Sequence, residues 1–238
     1  MRLDLALVAR GLARSRAQAA ELIAAGRVTV NGSAASKAAQ RVADRDDIAA
    51  EVEPWVSRAA HKLIGALESS GVRVGGRVLD AGASAGGFTQ VCLARGAEVV
   101  YAVDVGHGQL AAPVRDDPRV RVHEGLNLRD LTLDHLEGAP VDLVVGDVSF
   151  ISLRLLLPPL LAVLTDDGAA LLLVKPQFEV GREALGAGGV VRDDTLRRAC
   201  VDAVVADANR LGWHERWRGI SALPGASGNV EYFVYLTR

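Results

Sequence analysis

The sequence predicts an α/β protein with a doubly wound, Rossmann-like sheet that is mostly parallel with an antiparallel last strand. A small α+β domain precedes it. From residue 73 onward, apolar strand candidates alternate with longer helical segments, which is the pattern of a doubly wound sheet. Two of the candidates, 141–147 and 168–175, are almost continuously apolar, as central parallel strands are. The first 45 residues instead contain short elements and an excess of positive charge.

The N-terminal domain begins with two short helices and a hairpin. An apolar helical pattern stops at Gly11, and Ser15 is a good N-cap for a second helix over 16–25. A strand over 28–30 then turns at Asn31-Gly32, a dipeptide typical of tight hairpins. So few elements predict a small domain of mixed α and β structure.

The larger domain is predicted from six strand candidates and a long helix. The strand candidates are 77–81, 98–104, 119–123, 141–147, 168–175 and 230–237, and the helix is 192–211. The last strand is rich in aromatic residues, so we expect it to be antiparallel and near the sheet edge. The glycine-rich segment 186–189 is either a mobile lid over the substrate or an ordinary loop.

Composition limits the cellular setting. The chain has 238 residues, half of them hydrophobic, which is enough for one full core and a small appended module. Its two cysteines, Cys92 and Cys200, lie far apart in helix-like stretches, which favours reduced thiols over a disulfide framework. The N-terminus lacks the apolar core of a signal peptide, and the most apolar stretch, 155–164, is too short to span a bilayer. We therefore expect a cytoplasmic protein with no membrane partner.

The charge is distributed unevenly along the chain. Residues 1–45 carry eight basic and three acidic side chains, a net charge of +5, whereas residues 46–238 carry a net charge of −7. A basic head on an acidic body predicts that the head binds a polyanion.

The head also contains the motifs of a known RNA-binding module. These are Arg2-Leu3-Asp4, Leu7-Val8-x-Arg10-Gly11-Leu12, Ser15-Arg16 and Gly26-Arg27-Val28-x-Val30-Asn31-Gly32. They resemble the small domain named after ribosomal protein S-four, whose second helix packs along RNA. The resemblance implies RNA phosphate contacts from Arg2, Arg10, Arg14, Arg16 and Lys37. Residues 44–56 are polar and acidic and are expected to form a linker, so the predicted domains are 1–56 and 57–238.

A glycine-rich loop follows the first strand of the larger domain. The strand ends at Asp80, and the loop has the spacing Gly82-x-x-x-Gly86-Gly87 before a helical segment. Glycines allow backbone to approach a ligand closely, but this spacing is not that of a pyrophosphate binder. The carboxylate beside the loop suits a cationic or amino-acid ligand. S-adenosylmethionine, a sulfonium with an amino-acid tail and a ribose, fits these requirements.

A second carboxylate supports a nucleoside cofactor. Asp104 ends the next strand, 22 residues beyond Gly82, and an acid about 20 residues past the first glycine binds ribose hydroxyls in nucleoside-binding folds. Alternatively, Asp80 and Asp104 are ordinary residues of strand-end turns. Asn127, after the third strand, is either an adenine contact or a turn residue. The predicted cofactor-binding residues are Asp80, Gly82, Ala83, Ser84, Gly86, Gly87, Phe88, Asp104, Asn127 and Asp147.

Two charged side chains end the central strands. Asp147 closes the strand 141–147, and Lys175 closes the strand 168–175, so both should emerge beside the glycine-rich loop. A lysine at the end of a buried strand is costly unless it is paired. A lysine and an aspartate that converge on a cofactor pocket therefore indicate a functional pair. On spacing alone, Lys62 and Glu231 are weaker candidates.

Motifs along the whole chain resemble the TlyA family. They are Ser57-Arg58-x-x-x-Lys62-Leu63, Asp80-x-Gly82-Ala83-Ser84-x-Gly86-Gly87-Phe88-Thr89, Asp104-Val105-Gly106-x-Gly108-Gln109-Leu110, Gly146-Asp147-Val148-Ser149-Phe150-Ile151-Ser152-Leu153 and Val174-Lys175-Pro176-Gln177-Phe178-Glu179. Members of this haemolysin A-like family are ribosomal RNA ribose 2′-O-methyltransferases with an RNA-binding head and an FtsJ-like catalytic domain.

The resemblance implies a set of residues, a cofactor and a partner. A Lys-Asp-Lys-Glu tetrad carries over to Lys62, Asp147, Lys175 and Glu231, with S-adenosylmethionine as methyl donor and ribosomal RNA or ribosomal subunits as partner. The family usually has two glycines where this chain has Ala59-Ala60, which affects the backbone that delivers Lys62. Lys175 would act either as general base or as a stabiliser of the developing alkoxide. No metal is expected, because the histidines show no ligand spacing with either cysteine.

Two other functions compete with this one. A base methyltransferase acting on amino groups usually carries Asn/Asp-Pro-Pro-aromatic after the fourth strand, where this chain has Asp147-Val148-Ser149-Phe150. Carbon-methylating enzymes often need a cysteine nucleophile, and neither cysteine lies at a strand end. The third possibility is a non-enzymatic ribosome-binding protein or a membrane-active haemolysin-like protein.

Overall fold

The protein consists of two compact units, Met1–Pro54 and Trp55–Arg238. The structure, a computed structural model, describes residues 1–13, 15–51, 53–181, 183 and 185–238. Among these residues, none of the helices combines the length and the hydrophobicity of a membrane span.

The first unit contains two helices and a small antiparallel sheet. Helices α1 (Leu3–Ala9) and α2 (Arg16–Ala24) precede strands β1 (Val28–Val30), β2 (Ser33–Ala34) and β3 (Ile48–Ala50), in the sheet order β2-β1-β3. The predicted cap of α2 is present, since the Ser15 hydroxyl accepts a hydrogen bond from the backbone N–H of Gln18 at 3.2 Å. Both predicted helices and the hairpin are confirmed.

One strand of this unit was not predicted. Residues 44–56 were expected to be a linker, but Ile48 pairs with Val30 and is buried in the core of the unit. The prediction was wrong because Ile48-Ala49-Ala50 has neither the alternating β-branched residues nor the adjacent turn dipeptide that marked β1. The place of β3 is decided by the open edge of β1, which lies about 20 residues earlier in the chain.

The second unit is built on a sheet that is parallel through its centre. Its strands are β4 (Arg77–Ala81), β5 (Val99–Asp104), β6 (Val120–Glu124), β7 (Val141–Gly146), β8 (Leu164–Val174), β9 (His214–Ile220) and β10 (Tyr232–Thr237). They lie in the order β6-β5-β4-β7-β8-β10-β9, and β10 is antiparallel to both of its neighbours. The predicted fold class is confirmed.

Helices cover both faces of this sheet. The helices are α3 (Ala59–Ser70), α4 (Gly87–Ala94), α5 (Ala112–Arg115), α6 (Leu157–Ala162), α7 (Pro176–Glu179) and α8 (Asp194–Arg210). Apolar side chains of α3, α4 and α5 pack on one face, and those of α6 and α8 pack on the other. Successive strand residues alternate between the two clusters, so Val144 faces one and Val145 the other. This two-sided burial explains the continuous apolar runs of the central strands.

The far side of the sheet contains one strand more than the prediction. The last strand, β10, is antiparallel and lies near the sheet edge as expected, with β9 as the edge strand beyond it. The edge strand β9 was not predicted at all. Its sequence, His-Glu-Arg-Trp-Arg-Gly-Ile, is rich in charge, and alternate residues are exposed to solvent. Charged residues are common on edge strands because they discourage pairing with other chains, and here they hide the strand pattern.

A carboxyl group is completely buried in this core. The side chain of Asp80, on β4, accepts a hydrogen bond from the Thr89 hydroxyl of α4 through Oδ2 at 2.6 Å. Its Oδ1 is buried without a hydrogen-bond partner among the described residues. Burial raises the pKa of Asp80 to about 7, and the hydrogen bonds from Thr89 oppose this effect. The fold therefore favours the protonated form of this carboxyl group.

We predict that Asp80→Asn removes a pH dependence of stability. Because the unfolded carboxyl has a pKa of about 3.9, the wild-type protein should lose free energy of unfolding as the pH rises from about 4 to about 7, by up to ~1.4 kcal/mol per pH unit. Below this range the Asp80 carboxyl group is protonated in both the folded and the unfolded protein, and above it the group is ionised in both. Urea unfolding at a series of pH values should show the difference between variant and wild type growing across this window.

The exposed Asp134 supplies the control. Asp134→Asn removes a carboxylate from the surface of the same unit, so it corrects for the loss of one acidic group as such. If the free energies of unfolding of Asp80→Asn and wild type differed by a constant amount from about pH 4 to about pH 8, the raised pKa of Asp80 would be contradicted.

Candidate active site

A cavity of about 480 Å³ opens at the carboxyl ends of β4, β5, β6 and β7. This is the region of the sheet where the strand order reverses, which is the usual ligand site in doubly wound folds. Half of the predicted cofactor residues line it, and they come from four different loops. These residues are Gly82, Ser84, Asp104, Asn127 and Asp147.

Glycines let the loop after β4 pack against its neighbours. Gly82 has φ +85°, and a Cβ atom there would lie 3.1 Å from the carbonyl oxygen of Asp147. Gly86 has φ +92°, and a Cβ atom there would lie 2.8 Å from Leu110 Cδ1. Positive φ and close approach are the two situations that require glycine. The loop after β4 is thereby held against the loop that carries Asp147.

Other residues of the predicted loop lie at a second, smaller cavity. This cavity of about 150 Å³ is lined by Ala83, Gly87, Phe88 and Ser57, together with Asp147 and Lys175. Two predicted cofactor residues line neither cavity. Gly86 packs against α5, and Asp80 is buried against α4. The Asp80 carboxylate, predicted to bind the cofactor, therefore does not lie at the wall of either cavity.

Two carboxylates shape the loop that follows β5. Asp104 accepts hydrogen bonds from the backbone N–H of Ser84 at 2.8 Å and of Gly106 at 2.7 Å. Glu124, at the end of β6, accepts from Gly108 N–H at 2.8 Å and from Gln109 N–H. The Gly108 hydrogen bond is the main reason that the pKa of Glu124 is lowered. Glu124 was not singled out from the sequence, although it stands at a strand end as Asp104 does.

Asn127 has a structural contact as well as a place in the cavity. Its Oδ1 accepts a hydrogen bond from the backbone N–H of Arg129 at 3.1 Å, at the start of a short 3₁₀ turn over Leu128–Asp130. The side-chain nitrogen remains the group that can donate to a ligand. The turn contact is therefore present, and the adenine contact stays a prediction.

The four residues of the predicted tetrad lie together. Lys175 Nζ is 2.6 Å from Asp147 Oδ1, and Lys62 Nζ is 2.7 Å from Glu231 Oε2 and 4.0 Å from Asp147 Oδ2. Their side chains are only 2–14% exposed. The result is a row of alternating charges, Glu231–Lys62–Asp147–Lys175, at the edge of the smaller cavity. Four charged side chains can lie together in this nearly buried place because each charge is next to one of opposite sign.

Two neutral side chains complete this row and were missed in the sequence. The Ser149 hydroxyl accepts a hydrogen bond from Lys175 Nζ at 2.7 Å, and Gln177 Nε2 donates to Glu231 Oε1 at 3.1 Å. Each lies two residues after a charged strand-end residue, Asp147 or Lys175. That spacing is the signal that would have found them.

Helix α3 delivers Lys62 without the two glycines common in the family. Ala59 and Ala60 form its first turn, and Ala60 is completely buried. A Cβ atom at Gly87 would lie 3.1 Å from Ala60 N, so here it is Gly87 that allows the close approach. The alanines are compatible with the position of Lys62 beside Glu231.

Phe150 is the most exposed large apolar residue at the site. It lines the larger cavity, is 91% exposed and has φ +66°, a conformation that side chains rarely adopt. The centroid of its ring lies 5.3 Å from the ring centroid of Phe178. The loop is held by Glu179, which accepts from the Ser152 hydroxyl at 2.6 Å and from Leu153 N–H at 2.7 Å. An exposed aromatic ring in a strained backbone points to a functional role.

The glycine-rich segment 186–189 is attached to the strand end that carries Glu231. Asn229 is almost completely buried, and its side chain donates to the Gly189 carbonyl and accepts from Val191 N–H, both at 3.0 Å. Of the two alternatives, the ordinary loop fits this anchored arrangement better.

The predicted RNA-binding residues of the first unit differ in their surroundings. Arg2 and Arg16 both contact Asp4 and are partly exposed, and Lys37 is exposed. Arg10 donates hydrogen bonds to the backbone carbonyls of Ala43, Asp44 and Asp46, so its guanidinium holds the fold together. Arg14 lies outside the described residues.

Comparison with known proteins identifies both parts of the chain. The FtsJ-like methyltransferase family matches residues 55–238, and the S4 domain matches residues 1–48. The 16S/23S rRNA (cytidine-2'-O)-methyltransferase TlyA of Mycobacterium tuberculosis is 54% identical over 99% of this chain and 89% of its own length. Hemolysin A of Brachyspira hyodysenteriae is 38% identical over 99% of both chains.

A solved structure agrees with these relatives. A protein of Streptococcus thermophilus that carries a hemolysin name matches with a TM-score of 0.76 and 37% identity, over 99% of this chain and 87% of its own. The order of motifs, the two units and these similarities agree, and the chain belongs to the TlyA family of FtsJ-like methyltransferases with an N-terminal S4 domain.

Proposed function

We propose that the protein transfers a methyl group from S-adenosylmethionine to a ribose 2′-hydroxyl of ribosomal RNA. The observation that carries the proposal is the row Glu231–Lys62–Asp147–Lys175 beside a cavity at the carboxyl edge of the sheet. The name of the M. tuberculosis relative supports both the reaction and the substrate.

The cavity residues fit S-adenosylmethionine. A volume of about 480 Å³ is within the usual range for small-molecule sites, and Gly82 keeps the wall free of a side chain. Asp104 would bind the ribose hydroxyls, Asn127 the adenine, and the backbone of the loop after β4 the amino-acid tail. When bound, the cofactor supplies an electrophilic methyl group. Asp80 acts indirectly, because it is buried and hydrogen-bonded to Thr89 behind the loop.

The use of lysine in this chain supports a chemical role for the tetrad. The sequence contains 24 arginines and only three lysines, and two of the three, Lys62 and Lys175, lie in the tetrad. Outside the tetrad, every basic side chain except Lys37 is an arginine. Lysine has a compact ammonium group that can give up a proton, whereas arginine stays charged and planar. The two lysines therefore support a task at this site that needs a property arginine lacks.

The geometry supports a separate task for each member. Lys175 would contact the 2′-hydroxyl, where Nζ either accepts its proton or stabilises the developing negative charge on oxygen. Asp147 and Ser149 hold Nζ in place at 2.6 and 2.7 Å. Glu231 orients Lys62, which offsets the charge of Asp147 from the other side.

Phe150 would hold the target nucleotide. RNA-modifying proteins bind unstacked bases by stacking them on aromatic side chains. The Phe150 ring is exposed at the rim of the cavity, and its own backbone is fixed by the contacts of Ser152 and Leu153 with Glu179. A base on this ring would place its ribose close to Asp147 and Ser149, which belong to the same loop.

A membrane-lytic activity, which the haemolysin names of some relatives suggest, would not use this arrangement. Lysis needs no convergence of two lysines and two carboxylates at a cofactor-sized cavity. Mass-spectrometric mapping of ribosomal RNA incubated with the protein and S-adenosylmethionine tests the proposal directly. Methyl groups on a ribose 2′-oxygen are expected, and their absence, or methyl groups on a base atom, would overturn it.

We predict that Lys175→Ala lowers methyl transfer by about 10²–10⁴-fold, because it removes the group nearest to the reacting hydroxyl. Lys175→Arg should not restore activity, since guanidinium does not give up its proton. Ser149→Ala should cost less, because Asp147 still holds the ammonium group. Single-turnover assays check the rates, and calorimetry should show unchanged cofactor affinity. Near-normal turnover by Lys175→Ala would refute the assignment.

We predict that Asp104→Asn weakens S-adenosylmethionine binding by about 10- to 100-fold, the value of a hydrogen bond to a charged group. Asparagine has an NH₂ group in place of one carboxylate oxygen. At that position it cannot accept a hydrogen bond, either from a backbone N–H or from a ribose hydroxyl. Titration calorimetry measures the affinity. Asp116→Asn, at an exposed carboxylate near α5, is the matched control and should bind as the wild type does. Equal affinities of the two variants would count against the ribose contact.

We predict that Phe150→Gly weakens the interaction with RNA by about 5- to 150-fold, which is the value of one base stack. Glycine tolerates the positive φ, so the loss cannot come from backbone strain. Phe150→Tyr should keep most of the activity, and Leu155→Ala, at another exposed apolar residue, should be neutral. Steady-state kinetics should show a higher KM for RNA with unchanged cofactor affinity; the reverse pattern would disprove the role.

A further inference from the structure

The first unit contains an acidic side chain enclosed by two arginines. Asp4, in the first turn of α1, is only 4% exposed. It accepts two hydrogen bonds from Arg2, Nε to Oδ1 at 3.0 Å and Nη2 to Oδ2 at 3.1 Å. It also accepts two from Arg16 at Oδ2, from Nη2 at 3.1 Å and from Nε at 3.4 Å, and one from Leu5 N–H at 3.0 Å. A single carboxylate thus joins the residue before α1 to the first residue of α2.

This carboxylate brings two positive charges side by side. Nη2 of Arg2 and Nη2 of Arg16 each lie 3.1 Å from the same oxygen, so the two guanidinium groups are neighbours. Like charges so close would repel each other without Asp4. Hydrogen bonds from Arg2 are the main reason that the pKa of Asp4 is lowered to about 2. Asp4 therefore stays negative at any pH near neutrality.

The outer faces of both arginines remain open to solvent. The Arg2 side chain is 44% exposed and the Arg16 side chain is 62% exposed, whereas Asp4 is covered. A guanidinium group has five N–H donors, and the contacts with Asp4 use only part of them on each arginine. On each arginine the remaining N–H donors lie in the plane of the guanidinium group as a fork, an arrangement that can bind two phosphate oxygens at once.

We propose that Asp4 is a positioning residue: it aligns Arg2 and Arg16, which the resemblance to the S4-type module already places among the RNA-binding residues, so that their outer faces form one contact surface for the sugar–phosphate backbone. The inference rests on the proposed function, in which RNA is the substrate. Arg10 is not part of this surface, because its guanidinium is bound to three backbone carbonyls.

The physical advantage is preorganisation. A free arginine loses side-chain freedom when it binds a phosphate, and that loss weakens binding. Arginines already held by Asp4 lose less, and their forks are aligned before RNA arrives. The negative charge of Asp4 reduces the long-range attraction for RNA. The proposal is that alignment outweighs this loss of charge.

This balance leads to a prediction with an unexpected sign. Asp4→Asn adds one positive charge to the head, so simple electrostatics predicts tighter RNA binding. Asparagine, however, keeps one acceptor oxygen and presents N–H groups to the other arginine, which should release at least one guanidinium. We therefore expect weaker binding, and a log–log salt slope that is smaller by about 0.7–1.8 for one or two lost phosphate contacts.

The experiment uses the full chain and transcribed 16S and 23S ribosomal RNA in filter binding, from about 50 to about 200 mM KCl. Glu21→Gln is the matched control, because it removes an exposed acid from α2, and it should bind as tightly as wild type or more tightly. In an Arg2→Ala/Arg16→Ala background, Asp4→Asn should have no further effect on the salt slope. Cofactor affinity should be unchanged in all variants.

Arg16→Lys keeps the inference testable if Asp4→Asn unfolds the head, as monitored by circular dichroism. It conserves the charge but removes the fork, so it too should weaken binding. Binding by Asp4→Asn as tight as that by Glu21→Gln, or wild-type binding by Arg16→Lys, would overturn the inference while the wild-type protein still methylates RNA. Failure of the wild-type protein to methylate RNA would instead overturn the proposed function.

Discussion

The ion pair between Asp147 and Lys175 is the constraint on which the rest of the site depends. The two residues end adjacent parallel strands, β7 and β8, so the sheet itself sets their separation. Neither charge can be left alone in such a buried place. Lys62 and Glu231 extend the pairing, and Ser149 and Gln177 occupy hydrogen-bonding positions at either end. The sheet supplies a rigid frame, and the charges fix one another within it.

The cofactor cavity and the tetrad are connected through backbone. Gly82 lets the loop after β4 lie within van der Waals contact of the Asp147 carbonyl. The wall of the cavity therefore packs directly against the backbone of a tetrad residue. Asp104 and Glu124 hold the next loop by three backbone hydrogen bonds, and Asp104 accepts a fourth from Ser84 in the loop after β4. A methyl donor in the cavity would therefore meet a preorganised set of groups, which is the main source of electrostatic catalysis.

Both units use acidic residues to position cations. In the head, Asp4 aligns Arg2 and Arg16, and in the catalytic unit Asp147 and Glu231 hold Lys175 and Lys62. The choice of cation differs with its task. Arginine stands where the proposed ligand is a phosphate that needs a planar fork, and lysine stands where the proposed reaction needs a compact ammonium group.

The sequence by itself determined the alternating strands and helices, the glycine-rich loop, and the convergence of Asp147 and Lys175, because local periodicity and strand ends encode them. Resemblance, not spacing, indicated Lys62 and Glu231, whose contact spans 169 residues of chain. Tertiary structure alone decided that Asp80 is buried, that Arg10 is occupied, and that β3 and β9 are strands. Burial and edge pairing depend on which distant segments pack together, and a local pattern does not contain that information.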